Sequence, residues 1–230
     1  KGFMKVLWHM EIPYSRPGVI PVYYLSNKIR ETLTVSLSGE GSDEIFAGYN
    51  RYDAYTKFPE EYKNSNDPFY NELKRKIEMP LNQKVDYISS GVFIDDKEEF
   101  FQDELLNIPD NLKAENSFGP LIKNTKNDGT QLNLALLYEM QTEIPYFHCN
   151  KLDKTSMANS HEIRVPYLDH EVVEFAMTIP SQYKFYGTEK KIVLQKVARD
   201  LLPNEIVKKR KLPLVIPVSD FFEREFLDFS

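Results

Sequence analysis

At 230 residues, 41% of them hydrophobic and 13% aromatic, the chain has room for one large domain or two small ones and for a sizeable core. A formal charge of −6 argues against nucleic acid or an acidic membrane surface as the main partner, and no apolar run approaches the roughly 20 residues of a membrane span. The single cysteine, Cys149, excludes an internal disulfide and suits a reducing, cytoplasmic setting.

The chain opens at Lys1 without an initiator Met or a targeting pattern, and the expectation is a segment of a longer protein. Residues 3–10 are apolar enough for a short strand or helix, and residues 11–18, with Pro13 and Pro17, are a break. Residues 19–32 read as a helix with Val22, Leu25, Ile29 and Leu33 along one face. Residues 33–37, "LTVSL", are β-branched and short, which predicts a buried strand. A helix follows with Ser42 as its N-cap, Asp43 and Glu44 in its first turn, and Ile45, Phe46 and Tyr49 as its apolar face. From 53 to 145 the pattern is helical, broken at Pro59, Pro68, Pro80, Pro109 and Pro120; within it, 95–107 is a helix candidate and 126–131 a loop. Residues 132–144 form the strongest helical stretch, buried on most sides. Residues 148–168 are polar and turn-prone. Two further helices are predicted, 169–178 starting from Asp169 and 187–201 starting from Thr188 with Pro203 past its end. The tail from 208 mixes a basic cluster with Pro213 and Pro217 and reads as loop. No repeat of fixed period occurs, and one strand stands out in a mostly helical chain.

The stretch that carries chemistry is "LSGEGSDEIFAGYNRY", residues 37–52. Gly39 and Gly41 allow close approach of a ligand and positive φ, and successive amides at such a turn form an anion-binding concavity. It is neither a dinucleotide fingerprint nor a P-loop. Glu40, Asp43 and Glu44 suit an anion that arrives with a metal, since Mg²⁺ takes one or two carboxylates together with phosphate oxygens and water. The residues equally fit a capped helix whose surface acids complement its dipole. Elsewhere, His148, His161 and His170 with Cys149 lack metal-ligand spacing, Cys149 reads as a small buried thiol, and "KKRK" at 208–211 is too short to imply nucleic acid.

The whole string closely resembles a motif in the synthetase (ATP-pyrophosphatase) domain of the glutamine-dependent asparagine synthetase family. The resemblance continues in "DKTSMANSHEIRVPYLDHEVVEFAMTIP" at 153–180, "GTEKKIVLQKVARDLLPNEIVKKRK" at 187–211 and "IPVYYLSNKIRE" at 20–31, so it spans most of the chain. It implies an α/β, predominantly helical fold: a partial adenine-nucleotide alpha-hydrolase-like domain with one or two strands, residues 1–230 being the C-terminal portion. It also implies a ligase that activates a carboxylate with ATP as an acyl-adenylate, releases magnesium pyrophosphate, and lets ammonia displace AMP. The acid would be aspartate, giving asparagine with glutamine-derived ammonia. A sugar acid in surface-polysaccharide amidation and a non-catalytic helical interaction module are the alternatives.

Carried over by that resemblance, Asp43 is a magnesium ligand beside the pyrophosphate. Ser38, Gly39, Gly41 and Ser42 lie along the nucleotide, Glu40 serves the acyl-acceptor and intermediate site, and Tyr49 lines the same cleft. Lys191 neutralises phosphate charge as the adenylate forms; read without the resemblance it is an exposed lysine on a basic helix face. Asp153, Glu162, Arg164 and Asp169 are support: Arg164 and Asp169 are candidates to pair, and Asp153 with Lys154 to anchor the loop. The implied cofactors are ATP and Mg²⁺. The implied partners are a small-molecule acid, an N-terminal glutaminase domain of the same polypeptide, and a second copy in a homodimer. The family's Ser-Gly-Gly-x-Asp-Ser loop and its glutaminase cysteine do not occur in these 230 residues, and Ala47 stands where the family usually has glycine. The chain alone is therefore expected to show little adenylation.

Overall fold

The computed structural model describes residues 2–12, 16–55, 131–187 and 189–207, with isolated positions 74, 75, 78 and 209. The candidate helix at 95–107, residues 126–130 of the expected loop, Thr188 and most of the basic tail lie outside the described residues; residue 131, expected in that loop, is instead helical. Helix α1 (Gly2–Met10) settles the first apolar stretch as helical. Helix α2 (Val19–Arg30) matches its expected span, but its buried residues are Val19, Tyr23 and Ser26. Leu25 and Leu33, expected on the buried face, are mostly exposed. The stripe is displaced because α2 packs on α1 and on a later helix, with Val6, Met10, Val19 and Tyr23 forming one core cluster. Small Ser26 lets the backbones approach.

Strand β1 (Val35–Leu37) is shorter than predicted, and its side chains alternate exposed, half-buried, exposed rather than being buried. It leads through a glycine turn into α3 (Ser42–Phe46) and a 3-10 turn over Asn50–Tyr55. Ser42 is the first helical residue, not the cap: Gly41 occupies the cap position with φ 89° and ψ −20°, and no side chain caps it. Only glycine fits there, since a Cβ at Gly41 would overlap the Leu168 side chain and the left-handed backbone disfavours any other residue.

A continuous helical rod follows: α4 (Gln131–Gln141), a π-helical turn (Ile144–Cys149) and α5 (Asn150–Met157). Pro145 sits at the start of the wide turn, where its ring and missing N–H would break an α-helix. In α4 only the terminal residues Gln131 and Gln141 are exposed, in line with a helix enclosed on most sides. The stretch 148–168, expected to be turns, holds α5, strand β2 (Glu162–Arg164) and a 3-10 turn at Pro166–Leu168. Helix α5 carries only one apolar residue, Leu152, on its buried face; Thr155 and Ser156 fill the rest, Thr155 Oγ1 donating back to the Lys151 carbonyl at 2.6 Å.

Strands β1 and β2 pair in parallel, Val35 opposite Glu162, Ser36 opposite Ile163 and Leu37 opposite Arg164. A parallel pair needs a long crossover, and the rod lies on that crossover. Helix α6 (His170–Thr178) starts where predicted, Asp169 accepting from the Glu171 amide at 2.9 Å. The helix expected at 187–201 is shorter: residues 185–190 instead form a small hairpin of β3 (Phe185–Tyr186) and β4 (Glu189–Lys190), turning at Gly187. Only then come α7 (Ile192–Arg199) and α8 (Asn204–Val207). The described residues thus hold four short strands where one or two were expected, in a predominantly helical fold. Two further clusters surround α3. One joins Ala47, Tyr52, Leu132, Leu136 and Phe185; the other joins Ile45, Phe46 and Ala176, with Val172 and Leu194 against them.

Candidate active site

The turn from β1 into α3 presents its polar side chains to two other parts of the fold. On one side stands Lys191, the residue before α7. Its ammonium lies 3.0 Å from Asp43 Oδ1 and donates to Ser42 Oγ at 2.9 Å, joining positions 149 residues apart. Lys191 has φ 50° and ψ 37°, a left-handed backbone uncommon for a lysine. Gly48 completes this corner: a Cβ there would overlap both Asp43 Oδ1 and the Lys191 Cε. Ala47 has φ 56° as the cap residue that ends α3, which gives a physical reason for the usual glycine at that position.

On the other side stand the π turn and α5. His148 Nδ1 and Lys151 Nζ both reach Glu40 Oε1, the lysine at 2.9 Å. His148 Nε2 lies 3.4 Å from Glu44 Oε1, a carboxylate 1% exposed that also accepts from the Tyr49 hydroxyl at 2.5 Å. Burial alone would raise the Glu40 pKa, but the His148 hydrogen bond and the Lys151 charge outweigh it and hold the carboxyl at about 2. Burial first, and the Glu44 carboxylate second, push the Tyr49 hydroxyl well above its ordinary range, so it stays a donor.

Within the turn, Ser38 Oγ accepts from the Glu40 amide at 3.2 Å, and the Ser42 amide donates to the Gly39 carbonyl at 3.4 Å. Two of the turn's amides are thus engaged internally. Behind Tyr49 sits a buried pair: Arg51 donates to Glu139 Oε2 at 2.7 Å, Tyr52 donates to the same oxygen at 2.5 Å, and the guanidinium lies over the Tyr49 ring at 4.3 Å.

The structure therefore brings together Ser38, Glu40, Ser42, Asp43, Tyr49 and Lys191, with Gly39 and Gly41 shaping the turn. The four support residues lie further out. Arg164 pairs with Glu162 at 2.7 Å rather than with Asp169, both partners being mostly exposed on β2. Asp169 caps α6. Asp153 and Lys154 lie within α5 rather than in a loop, and Lys154 ties that helix to the Met10 carbonyl and to Glu11. Cys149 is half-buried, not enclosed, and burial raises its thiol pKa. Sequence reasoning missed His148, Lys151 and the Arg51–Glu139 pair. Lysine and histidine in a polar stretch carry no periodic signal, and their partners lie roughly a hundred residues away.

Among the described residues no cluster of three or more His, Cys, Asp or Glu suits a metal ion. One carboxylate, Asp43, is nevertheless what Mg²⁺ needs when phosphate oxygens supply its other ligands. No helix among the described residues is long and apolar enough to cross a membrane.

A family model described as asparagine synthase matches residues 2–229. Curated proteins similar to the chain include asparagine synthetase [glutamine-hydrolyzing] 1 of Bacillus subtilis (strain 168), 28% identical over 239 residues, which cover 96% of this chain and 37% of that protein. A second, asparagine synthetase [glutamine-hydrolyzing] 3 of the same organism, is 29% identical over 210 residues, 86% of this chain and 29% of its own length. A putative asparagine synthetase [glutamine-hydrolyzing] of Mycobacterium tuberculosis (strain ATCC 25618 / H37Rv) is 24% identical over 242 residues, 93% of this chain and 34% of its own. The chain spans about a third of the length of these relatives.

Proposed function

The chain belongs to the asparagine synthase family, and from that premise we propose that residues 1–230 are the C-terminal portion of the synthetase domain of an ATP-dependent amide-forming ligase, with an adenine-nucleotide alpha-hydrolase-like fold. The substrate we infer is aspartate, converted to asparagine with ammonia from a glutaminase domain of the same polypeptide. The observation that carries this reading is the convergence of Lys191 on Ser42 and Asp43 across 149 positions of sequence. A glycine turn with acids has a structural explanation of its own; a lysine brought to it on a strained backbone does not.

In this reading the substrate carboxylate forms a bond to the α-phosphorus of ATP and the bond to pyrophosphate breaks. Lys191 supplies positive charge where the pyrophosphate gains it negatively, a fixed contribution in a partly enclosed site. Asp43 would hold magnesium, which when bound neutralises polyphosphate charge. Ammonia then bonds to the acyl carbon, AMP leaves with the electron pair of the acyl–oxygen bond, and the nitrogen sheds a proton. Glu40, ionised over the whole neutral range, accepts hydrogen bonds from that nitrogen without needing to keep the proton. Tyr49 holds Glu44, the buried carboxylate on the far side of His148 from Glu40.

The test is aspartate-dependent ATP–pyrophosphate exchange by the full-length protein. Asp43→Asn is expected to lower exchange by about 10²-fold or more at fixed magnesium, and Lys191→Ala to lower kcat by about 10²-fold with little change in the KM for ATP. Exchange at the wild-type rate in Asp43→Asn removes that residue from the site. A change confined to KM in Lys191→Ala makes it a ground-state contact only.

A further inference from the structure

Glu40 is held in an unusual way. Among the described residues, both contacts made by its side chain fall on one oxygen: His148 Nδ1 and Lys151 Nζ both meet Oε1. The donors come from neighbouring turns of one helical rod, the π turn and the start of α5. His148 is itself braced. Its second nitrogen faces Glu44, whose carboxylate is 1% exposed and further tied by Tyr49. The imidazole thus spans the distance between a buried carboxylate and a partly exposed one.

A glutamate side chain has three rotatable bonds, and an unrestrained one on a turn samples many rotamers. Two donors on a single oxygen fix both the position of the carboxylate and the direction in which the other oxygen points. Glu40 is also the member of the Oε1 cluster that the proposed chemistry uses, whereas Asp43 and Ser42 are engaged at the opposite side by Lys191.

We propose that His148 is a positioning residue for the amine step: it clamps Oε1 of Glu40, with Lys151, so that Oε2 is presented to the incoming ammonia. This rests on the reading above in which Glu40 serves the amine rather than the nucleotide. The ionised state of Glu40, held by the same two donors, keeps Oε2 an acceptor throughout the neutral range. The clamp acts after adenylation, so its loss spares the first half-reaction.

The experiment uses the full-length protein with ammonium chloride as nitrogen source and aspartate as acid, in wild type, His148→Leu and His148→Asn. Loss of the clamp in His148→Leu is expected to raise the KM for ammonium about tenfold while aspartate-dependent ATP–pyrophosphate exchange stays within about twofold of wild type. The side-chain amide of His148→Asn places a donor near the former Nδ1 and is expected to restore ammonium use to within about threefold of wild type. An unchanged ammonium KM in His148→Leu, or a parallel fall in exchange, overturns the proposal, as does failure of His148→Asn to rescue. Should wild type itself show no aspartate-dependent exchange, the aspartate reading fails, and the clamp is then decided by a readout that needs no turnover. With ¹⁵N-histidine labelling, the His148 ring nitrogen signals are expected to move in Glu40→Gln and stay in place in Glu31→Gln, a control at the exposed residue that follows α2. Signals that ignore Glu40→Gln overturn the clamp.

Discussion

Glu40 shows how one side chain couples the site to pH. Its ordinary pKa of 4.5 falls to about 2 in the folded chain, so folding favours the ionised form. A depressed carboxyl contributes stability that is fully present above the unfolded value and is lost as pH falls through the folded one. Wild type is therefore expected to lose stability, relative to Glu40→Gln, as pH drops from 4.5 towards 2. Thermal unfolding of both proteins across that range checks this; parallel curves down to pH 2 would show that His148 and Lys151 do not hold the carboxylate. Glu40, Asp43 and Lys191 were legible in the sequence through their motif, and the structure adds why Gly48 accompanies them: any larger residue would push Asp43 and Lys191 apart. His148 was not legible, because its importance lies in a contact with a residue 108 positions away.

At the scale of elements, caps were easier to read than faces. Asp169 before an apolar periodic run marked the start of α6, and its carboxylate does accept from the Glu171 amide. Asp169→Ala is expected to lower stability by about 1 kcal/mol, measured by urea unfolding, with the midpoint shifting and the slope unchanged. Asp169→Asn, which still accepts that bond, is expected to shift it much less. Helix α5 escaped because hydrophobic periodicity cannot register a buried face on which Leu152 is the one apolar residue beside Thr155 and Ser156. The hairpin at 185–190 escaped because strands of two residues have no period to detect, leaving Gly187 with φ 61° as its single signal. The predicted face of α2 failed for another reason: which stripe is buried depends on the neighbours, and α5 had not been recognised as one.

Across the whole molecule, the buried Arg51–Glu139 pair joins the turn after α3 to helix α4, and so ties the site's floor to the rod that carries His148. Burial works against the charge of both groups; Glu139 outweighs it for Arg51, while Arg51 offsets it only in part for Glu139, whose pKa stays raised. Removing one partner strands the other, so Arg51→Leu is expected to cost about 3 kcal/mol, at the lower end for a buried pair because the guanidinium is partly exposed. The double change Arg51→Leu with Glu139→Leu is expected to recover much of that loss, and a double variant no more stable than the single one would show that the pair is not coupled. A predominantly helical fold was legible from sequence, and the glycine turn was legible as the candidate for the site. How the rod meets that turn was not, since it depends on one wide turn at Pro145. That turn has a genetic consequence. A π turn holds about one residue more than an α turn, so a single codon lost within 144–149 is absorbed by closing the wide turn to an ordinary one, and His148 and Lys151 keep their facing relative to α4. A codon lost within α4 itself has no such slack and turns them by about 100°. An in-frame deletion in the wide turn is thus a milder lesion than the same deletion in α4, where a lineage that kept every motif residue while losing one position would have lost the grip on Glu40 without any visible change in its signature.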